Sequence, residues 1–380
     1  MIVLEKFLSS SSYIDILLPY KEMFTPSNAG AVATVVSDLA YNTTLNYKMD
    51  IYGRHLFSES FSQLSYIALK PKWPLVYGHN LGLARSYIAN LKKRSSRPSL
   101  IEVHGRCNVA RFIAKNCSTN KVALFLHNDP RKMKGSKSLQ ERLWFARNLA
   151  GIFANSAYIR DCFLDGFKTD EISETPIFLT PLGAERKLTK RPDKKKMIII
   201  ASRIVPEKGI LEAATALKEV LPDFPDWKVK IIGAKHFKIG KVSKYEKSVM
   251  AVLAPLQEQA EIAGFLPLNQ VDKELARAAI AIVPSIWQEP ASRAVLEALA
   301  NGCALITTRV GGIPERAENR AMLVEKPDIT NLAIAIKTLL SEPSKLKKLH
   351  DIAWNDYPFD CVSQAKIMDA ARKKVISNKT

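Results

Sequence analysis

Two carboxylates, Glu289 and Glu297, stand eight positions apart in the stretch QEPASRAVLEALANG of a chain otherwise rich in bases. Glu289 precedes Pro290, which suits the first turn of a helix because its missing N–H is not needed there, so this acid belongs to the loop entering the helix. Glu297 sits about two turns inside, on a face shared with Arg293 and Asn301 at i, i+4 and i+8. Either carboxylate can accept hydrogen bonds from the hydroxyls of a ligand. A purely structural pairing is equally open, with Glu289 as an acidic N-cap and Glu297 as the partner of Arg293, each contributing about 1 kcal/mol or less.

Cations accompany these acids. In IIIASRIVPEKGI, Arg203 and Lys208 flank a loop between a strand and a helix beginning at Gly209. Free N–H groups and the helix dipole already favour negative charge at such a place, so two bases there make a site fit for a diphosphate. His127 ends the strand-like run VALFLH, and His104 ends the preceding one, LIEVH, which makes a ligand cleft at that edge a reasonable expectation. Gly30, in SNAGAVAT after the first strand, would let a ligand approach the backbone at a helix start. The pair Gly311–Gly312 in VGGIPE offers a tight turn before a further helix.

Other chemistries lack their parts. The chain has no P-loop, no G-x-G-x-x-G after its first strand, no nucleophile elbow and no H-E-x-x-H. It also has no D-x-D triplet to seat a metal on a diphosphate, so charge on a leaving diphosphate would fall to Arg203, Lys208 and helix N–H groups. The five cysteines are odd in number and lack C-x-x-C spacing, which argues against a disulfide framework or a zinc site. Reduced, mostly buried thiols are expected.

The elements that must hold these residues follow from hydropathy. Short apolar, β-branched runs alternate with amphipathic stretches throughout, as in parallel sheets with crossover helices. At 380 residues the chain exceeds what one core usually serves. DILLPY, YKMDIYG, SYIALK, SLIEVH, VALFLH and GIFANS predict a first sheet; MIIIAS, WKVKIIG, AEIAGF, AIAIVPS and ALITT predict a second. Helices are expected near 30–43, 81–94, 138–150 and 157–164, then near 209–220, 269–279, 291–301 and 329–340. The basic, weakly apolar stretch 182–196 reads as an exposed linker. In open parallel sheets ligands bind beyond the carboxyl ends of the strands, where all the candidates above lie.

The excess of 56 Lys+Arg over 37 Asp+Glu, a net charge of +19, predicts attraction to polyanions. Nucleic acid is disfavoured, because the bases are dispersed and not interleaved with aromatics. No apolar run approaches the length of a membrane span, and the N-terminus carries an acid at Glu5 and no cleavage-site pattern, so a cytoplasmic protein is expected.

Together these segments resemble glycosyltransferase family 4, retaining enzymes of the GT-B fold. EPASRAVLEALANGCALITTRVGGIPE is similar to the family's E-x7-E region with its following Gly-Gly-x-x-E, and ASRIVPEKGI to its Arg…Lys-Gly diphosphate loop. LPYKEMFTPSNAGAV, IEVHGR and LHNDPRKMKGSKS resemble members that extend lipopolysaccharide cores or other surface glycans. The resemblance implies an α/β protein of two facing Rossmann-like, doubly wound domains with a cleft between them. An acceptor-binding domain would cover residues 1–182 and a nucleotide-sugar domain residues 183–357, with a C-terminal helix, 358–380, crossing back to the first.

It further implies that Glu289 contacts the transferred sugar and Glu297 the ribose, while Arg203 and Lys208 hold the diphosphate. His127 would border the sugar, backbone N–H groups of Ala291, Ser292 and Arg293 would hold sugar and phosphate, and the base would rest near Gly264 and Phe265. Ala291 and Ser292 replace the Phe-Gly that many members carry, which affects donor choice. The implied partners are a nucleotide-diphosphate sugar as donor substrate, with no separate cofactor or metal, and a glycan or lipid-linked anionic acceptor. Bases at Lys92, Lys93, Arg94 and Arg97, and at Arg131, Lys132, Lys134 and Lys137, would favour peripheral contact with the inner membrane. A non-catalytic GT-B protein that binds nucleotide or glycan, or a sugar-nucleotide epimerase, are the alternatives.

Overall fold

The computed structural model describes residues 13–235 and 242–378. The N-terminal stretch read for a targeting signal lies largely outside them. Two compact units emerge. The first comprises the chain up to Asn155, Ile159–Thr180 and the segment from Ala365; the second comprises Ser156–Tyr158 and Pro181–Gln364. The C-terminal return therefore joins the first unit at residue 365, seven positions later than the sequence placed it.

In the first unit the order is β1 (Tyr13–Leu17), α1 (Ala31–Tyr41), β2 (Lys48–Arg54), β3 (Ser65–Leu69), α2 (Pro74–Leu91), β4 (Leu100–His104) and α3 (Cys107–Asn116). Then come β5 (Val122–Leu126), α4 (Leu139–Asn148), β6 (Gly151–Ala154), α5 (Ala157–Leu164), α6 (Thr169–Glu174) and β7 (Ile177–Leu179). The seven strands pair in parallel in the order β3-β2-β1-β4-β5-β6-β7. Every residue of β4 and β5 is buried, as a central parallel strand covered on both faces requires.

The second unit contains β8 (Lys195–Ala201), α7 (Ile210–Val220), β9 (Lys228–Ile232), α8 (Lys244–Leu253), β10 (Ala260–Gly264), α9 (Leu268–Arg277) and β11 (Ala278–Val283). It continues with α10 (Arg293–Ala300), β12 (Ala304–Thr308), α11 (Pro314–Ala317), β13 (Ala321–Val324), α12 (Ile329–Ser341) and α13 (Pro343–Asn355). Its six strands, also parallel, run β10-β9-β8-β11-β12-β13. Chain direction across the sheet reverses at β1/β4 in the first unit and at β8/β11 in the second, the switch points at which such sheets bind ligands. The last helix, α14 (Cys361–Ser377), delivers its residues from 365 onward to the first unit.

Several expectations need correction. The edge strands β7 and β13 have only three and four residues, too short to register as periodic runs. Helix α2 starts at Pro74, earlier than expected, because a single helical turn precedes a break at Gly78 (φ 75°, ψ 161°). The stretch 182–196 is no free linker: Arg186 donates to the carbonyls of Ala300, Ala353 and Trp354 at 3.0, 2.8 and 2.6 Å, and Lys194 to those of Leu275 and Asn301. These carbonyls close the C-terminal ends of α9, α10 and α13, where orphan acceptors and the helix dipole favour cations. Of the expected basic surface clusters, Arg94 is bound to Asp15 at 2.7 Å and Arg131 to Asp129 and Asp165 at 2.9 and 3.0 Å. All five cysteines are free and buried. Among the described residues no helix is long and apolar enough to cross a membrane.

Candidate active site

At the switch point of the second sheet, the loops after β8 and β11 lie side by side. Glu289, in the second loop, is 4% exposed, and its Oε1 accepts from Ser285 Oγ at 2.7 Å and faces Lys208 Nζ at 2.5 Å. Ser285 is itself held, since Thr308 Oγ1 donates to its carbonyl at 2.6 Å. Glu289 is thus not the N-cap of α10 that a purely structural reading allowed; Ser292 occupies that position, with no side-chain capping bond.

The glycine pair fixes the loop from the other side. Gly312 N donates to Glu289 O and Gly311 N to Gln288 Oε1, both at 2.7 Å. Gly311 has φ 55°, and a Cβ there would stand 2.2 Å from Glu289 O, so only glycine permits the approach. Ser156 Oγ donates to Pro290 O at 2.6 Å, and Glu315 accepts from Ala157 N and Tyr158 N at 2.8 Å each. The Gly-Gly-x-x-E stretch therefore clamps the backbone that carries Glu289.

Lys208 closes a 3-10 turn, Pro206–Lys208, and the chain then passes into α7 through Gly209 at φ 65°. A Cβ on Gly209 would meet Pro284 O at 2.0 Å, so this glycine lets the two loops touch. Arg203 is exposed beside them. The second acid, Glu297, lies 3.4 Å from Arg293 Nε, the i, i+4 pair that a structural role would call for, and Arg293 Nη1 also donates to Gly183 O at 3.3 Å. Ala291 is partly exposed and Ser292 buried. Gly264, the last residue of β10, has φ 68° and open space where a Cβ would stand, and the 39% exposed Phe265 follows it.

His127 belongs to the first unit, where it ends a buried polar chain. Its Nε2 lies 2.9 Å from His104 Nδ1, His104 Nε2 donates to Glu102 Oε1 at 2.8 Å, and Glu102 takes Arg372 Nε and Nη2 at 2.9 and 3.1 Å. Burial opposes the charge on Glu102, yet Arg372 and His104 together pull its pKa down to about 2. Burial, with the charges of His104 and Arg106, pushes His127 well below the usual imidazole range, so it is neutral at pH 7. Gly30 does not offer an open helix start: Glu22 Oε2 accepts from Ala33 N at 3.0 Å and stands 2.5 Å from where a Cβ on Gly30 would be. Burial raises the pKa of Glu22, against the pull of that bond and of Arg106.

Lys208 and Glu289 are thus brought together, as are Arg293 and Glu297. Reasoning from sequence missed Ser285, Glu22, and the Glu102–Arg372 pair. A charged residue inside the apolar run LIEVH was the available signal for Glu102. Among the described residues no three His, Cys, Asp or Glu side chains gather into a group that could hold a metal.

Residues 183–355 match the family described as glycosyl transferases group 1. YtcC of Bacillus subtilis (strain 168), whose own naming as a glycosyltransferase is provisional, is 26% identical over 284 residues, 69% of this chain and 65% of that protein. The lipopolysaccharide 1,2-N-acetylglucosaminetransferase of Salmonella typhimurium is 24% identical over 267 residues, 66% of this chain and 65% of that protein. The chain thus spans just under two thirds of the length of these curated relatives. The crystal structure of Anabaena HepE in complex with UDP and glucose superposes with a TM-score of 0.74 at 16% identity, covering 95% of this chain and 99% of that one. That likeness shows the fold: two Rossmann-like units of the GT-B class.

Proposed function

We propose that this chain is a retaining, metal-independent glycosyltransferase of family 4. It moves a hexose-type sugar from a nucleotide-diphosphate sugar to a glycan or glycolipid acceptor in lipopolysaccharide-core or surface-polysaccharide synthesis, working in the cytoplasm with peripheral contact at the inner membrane. The observation that carries this reading is Glu289, held buried by Ser285 and Lys208 at the switch point of the unit that matches the family.

Each residue then has a task. Glu289, anchored through Oε1, keeps Oε2 for hydroxyls of the donor sugar. Lys208 neutralises that carboxylate and, with Arg203, attracts the diphosphate; the N-termini of α7 and α10 add oriented N–H groups. Glu297 accepts from the ribose hydroxyls, shifting from Arg293 as it does so, and the open backbone at Gly264–Phe265 receives the base. His127, being neutral, bonds a sugar hydroxyl without competing for the phosphates. The acceptor hydroxyl attacks the anomeric carbon on the face from which the diphosphate departs. The bond from that carbon to the phosphate oxygen breaks, the bond to the acceptor oxygen forms, and the acceptor proton passes to the leaving phosphate.

A donor screen tests the reading. Purified chain is incubated with UDP-, GDP- and ADP-sugars, and thermal shift and slow donor hydrolysis are recorded for the parent, Glu289→Gln and Lys208→Ala. Selective stabilisation by one donor, with hydrolysis lost in both variants, is the expected result. No response to any donor refutes it. Inversion of the anomeric centre in the first-formed product, followed by NMR, refutes retention specifically.

A further inference from the structure

Two features of the first unit meet at the loop between β3 and α2. Tyr20, Arg54, His55, Leu69, Lys70 and Pro71 line a cavity of about 400 Å³, and no carboxylate among the described residues faces it. The Arg54 guanidinium lies over the rings of Tyr20 and Phe57, 4.6 and 5.9 Å from their centroids, while its buried Nε has no hydrogen-bond partner among the described residues. A buried, unanswered guanidinium N–H beside further bases is chemistry suited to a phosphate.

Three residues beyond Lys70, the chain turns outward. Trp73, Leu75 and Val76 are 64%, 101% and 74% exposed, so nothing among the described residues covers them. The turn is nevertheless built rather than frayed. It is bounded by positive φ at Trp73 (48°) and Gly78 (75°), closed by bonds from Val76 N and Tyr77 N to Trp73 O, and braced by Arg85 stacked 3.8 Å from the Tyr77 ring centroid. Phe57, on the rim of Arg54, is 81% exposed. Contiguous Trp, Leu and Val held in water beside Lys70 and Lys72 form the pattern of an interfacial anchor: apolar side chains for an acyl region, bases for the headgroup layer.

We propose that this face binds an anionic phospholipid surface, with a headgroup phosphodiester in the Arg54–His55–Lys70 cavity and Trp73, Leu75 and Val76 inserted among the acyl chains. This gives the peripheral contact proposed above a defined surface, and it rests on that part of the reading. The test is co-sedimentation of the full chain with vesicles of phosphatidylcholine alone and with vesicles that also carry phosphatidylglycerol. Parent, Arg54→Gln with Lys70→Gln, and Leu75→Ser with Val76→Ser are compared, with thermal melts to show that each folds. Binding that requires phosphatidylglycerol and falls about tenfold or more in each double variant is expected. Three results overturn the proposal: equal binding to both vesicles, binding unchanged in either double variant, or stabilisation by inorganic phosphate through Arg54 and Lys70 with no vesicle binding, which would assign the cavity to a soluble phosphate. Donor hydrolysis measured in parallel separates failure of this surface from failure of the transfer reading.

Discussion

Lys208 Nζ stands 2.5 Å from Glu289 Oε1, and the two side chains are only 20% and 5% exposed, so neither charge is well served by water. Removing either one leaves the other in a poor environment, but unequally. Lys208→Met strands a buried carboxylate and should cost about 2 kcal/mol, whereas Glu289→Gln keeps the Ser285 bond and leaves a more exposed ammonium, costing about 1 kcal/mol or less. Urea unfolding of both variants checks the order. A larger loss in Glu289→Gln would contradict the geometry.

Arg203, exposed and with no side-chain hydrogen bond or ion pair among the described residues, should behave in the opposite way. Arg203→Ala is expected to leave stability unchanged while raising KM for the donor about tenfold, the worth of one charge-assisted phosphate contact. The gap between parent and variant should narrow as salt rises. Turnover in EDTA should match turnover without it; a loss restored by a divalent ion would place a metal in the reaction.

At Gly311 the outcome turns on backbone geometry. A methyl there meets Glu289 O, and φ 55° disfavours any L side chain. Gly311→Ala should therefore cost about 2 kcal/mol and also lower kcat, because relief of the clash moves the loop holding Glu289. The Ala variant at Gly264, where a Cβ meets nothing, separates the two effects: only the strain of φ 68° applies there.

Acid should weaken the first unit in two stages. His127 is held neutral in the fold, so the unfolded chain takes up its proton first, and stability falls as pH drops below about 6.5 toward the depressed folded value. Glu102, held at about 2 against an ordinary 4.5, contributes about 3 kcal/mol that is fully present above pH 4.5 and is lost as pH falls toward 2. Urea unfolding across this range should lose its upper limb in His127→Gln. Its lower limb should vanish when Glu102→Gln and Arg372→Gln are combined. An unchanged profile in either would show that other groups dominate.

Most of this architecture could be read from the chain because parallel strands buried on both faces leave unbroken apolar runs, as VALFL does at β5. The edge strand β7 left no such trace, being three residues long and only partly buried. At the site, residue type and spacing located Glu289, Lys208 and Arg203 on their loops. They gave no sign of Ser285, an ordinary serine until the fold aims its hydroxyl at Glu289 Oε1. The first turn of α1 was misjudged for the same reason, since nothing near Gly30 in sequence announces that Glu22 reaches it. Lys194 and Arg186 looked like solvated bases because their partners are carbonyls, which no sequence pattern marks.

The pairing of Glu102 with Arg372 spans 270 residues, and the second of the two arrives on the last helix. During synthesis at about 5–20 residues per second, Glu102 therefore waits roughly 15–50 s for its counter-charge while the entire second unit is being made. Once β7 has been made the first sheet is complete in strands, but the carboxylate at its centre has only His104 as a partner and still lacks the guanidinium. The first unit is therefore completed only after the second has been made, so emergence of α14, rather than of β7, is the event that sets its native core.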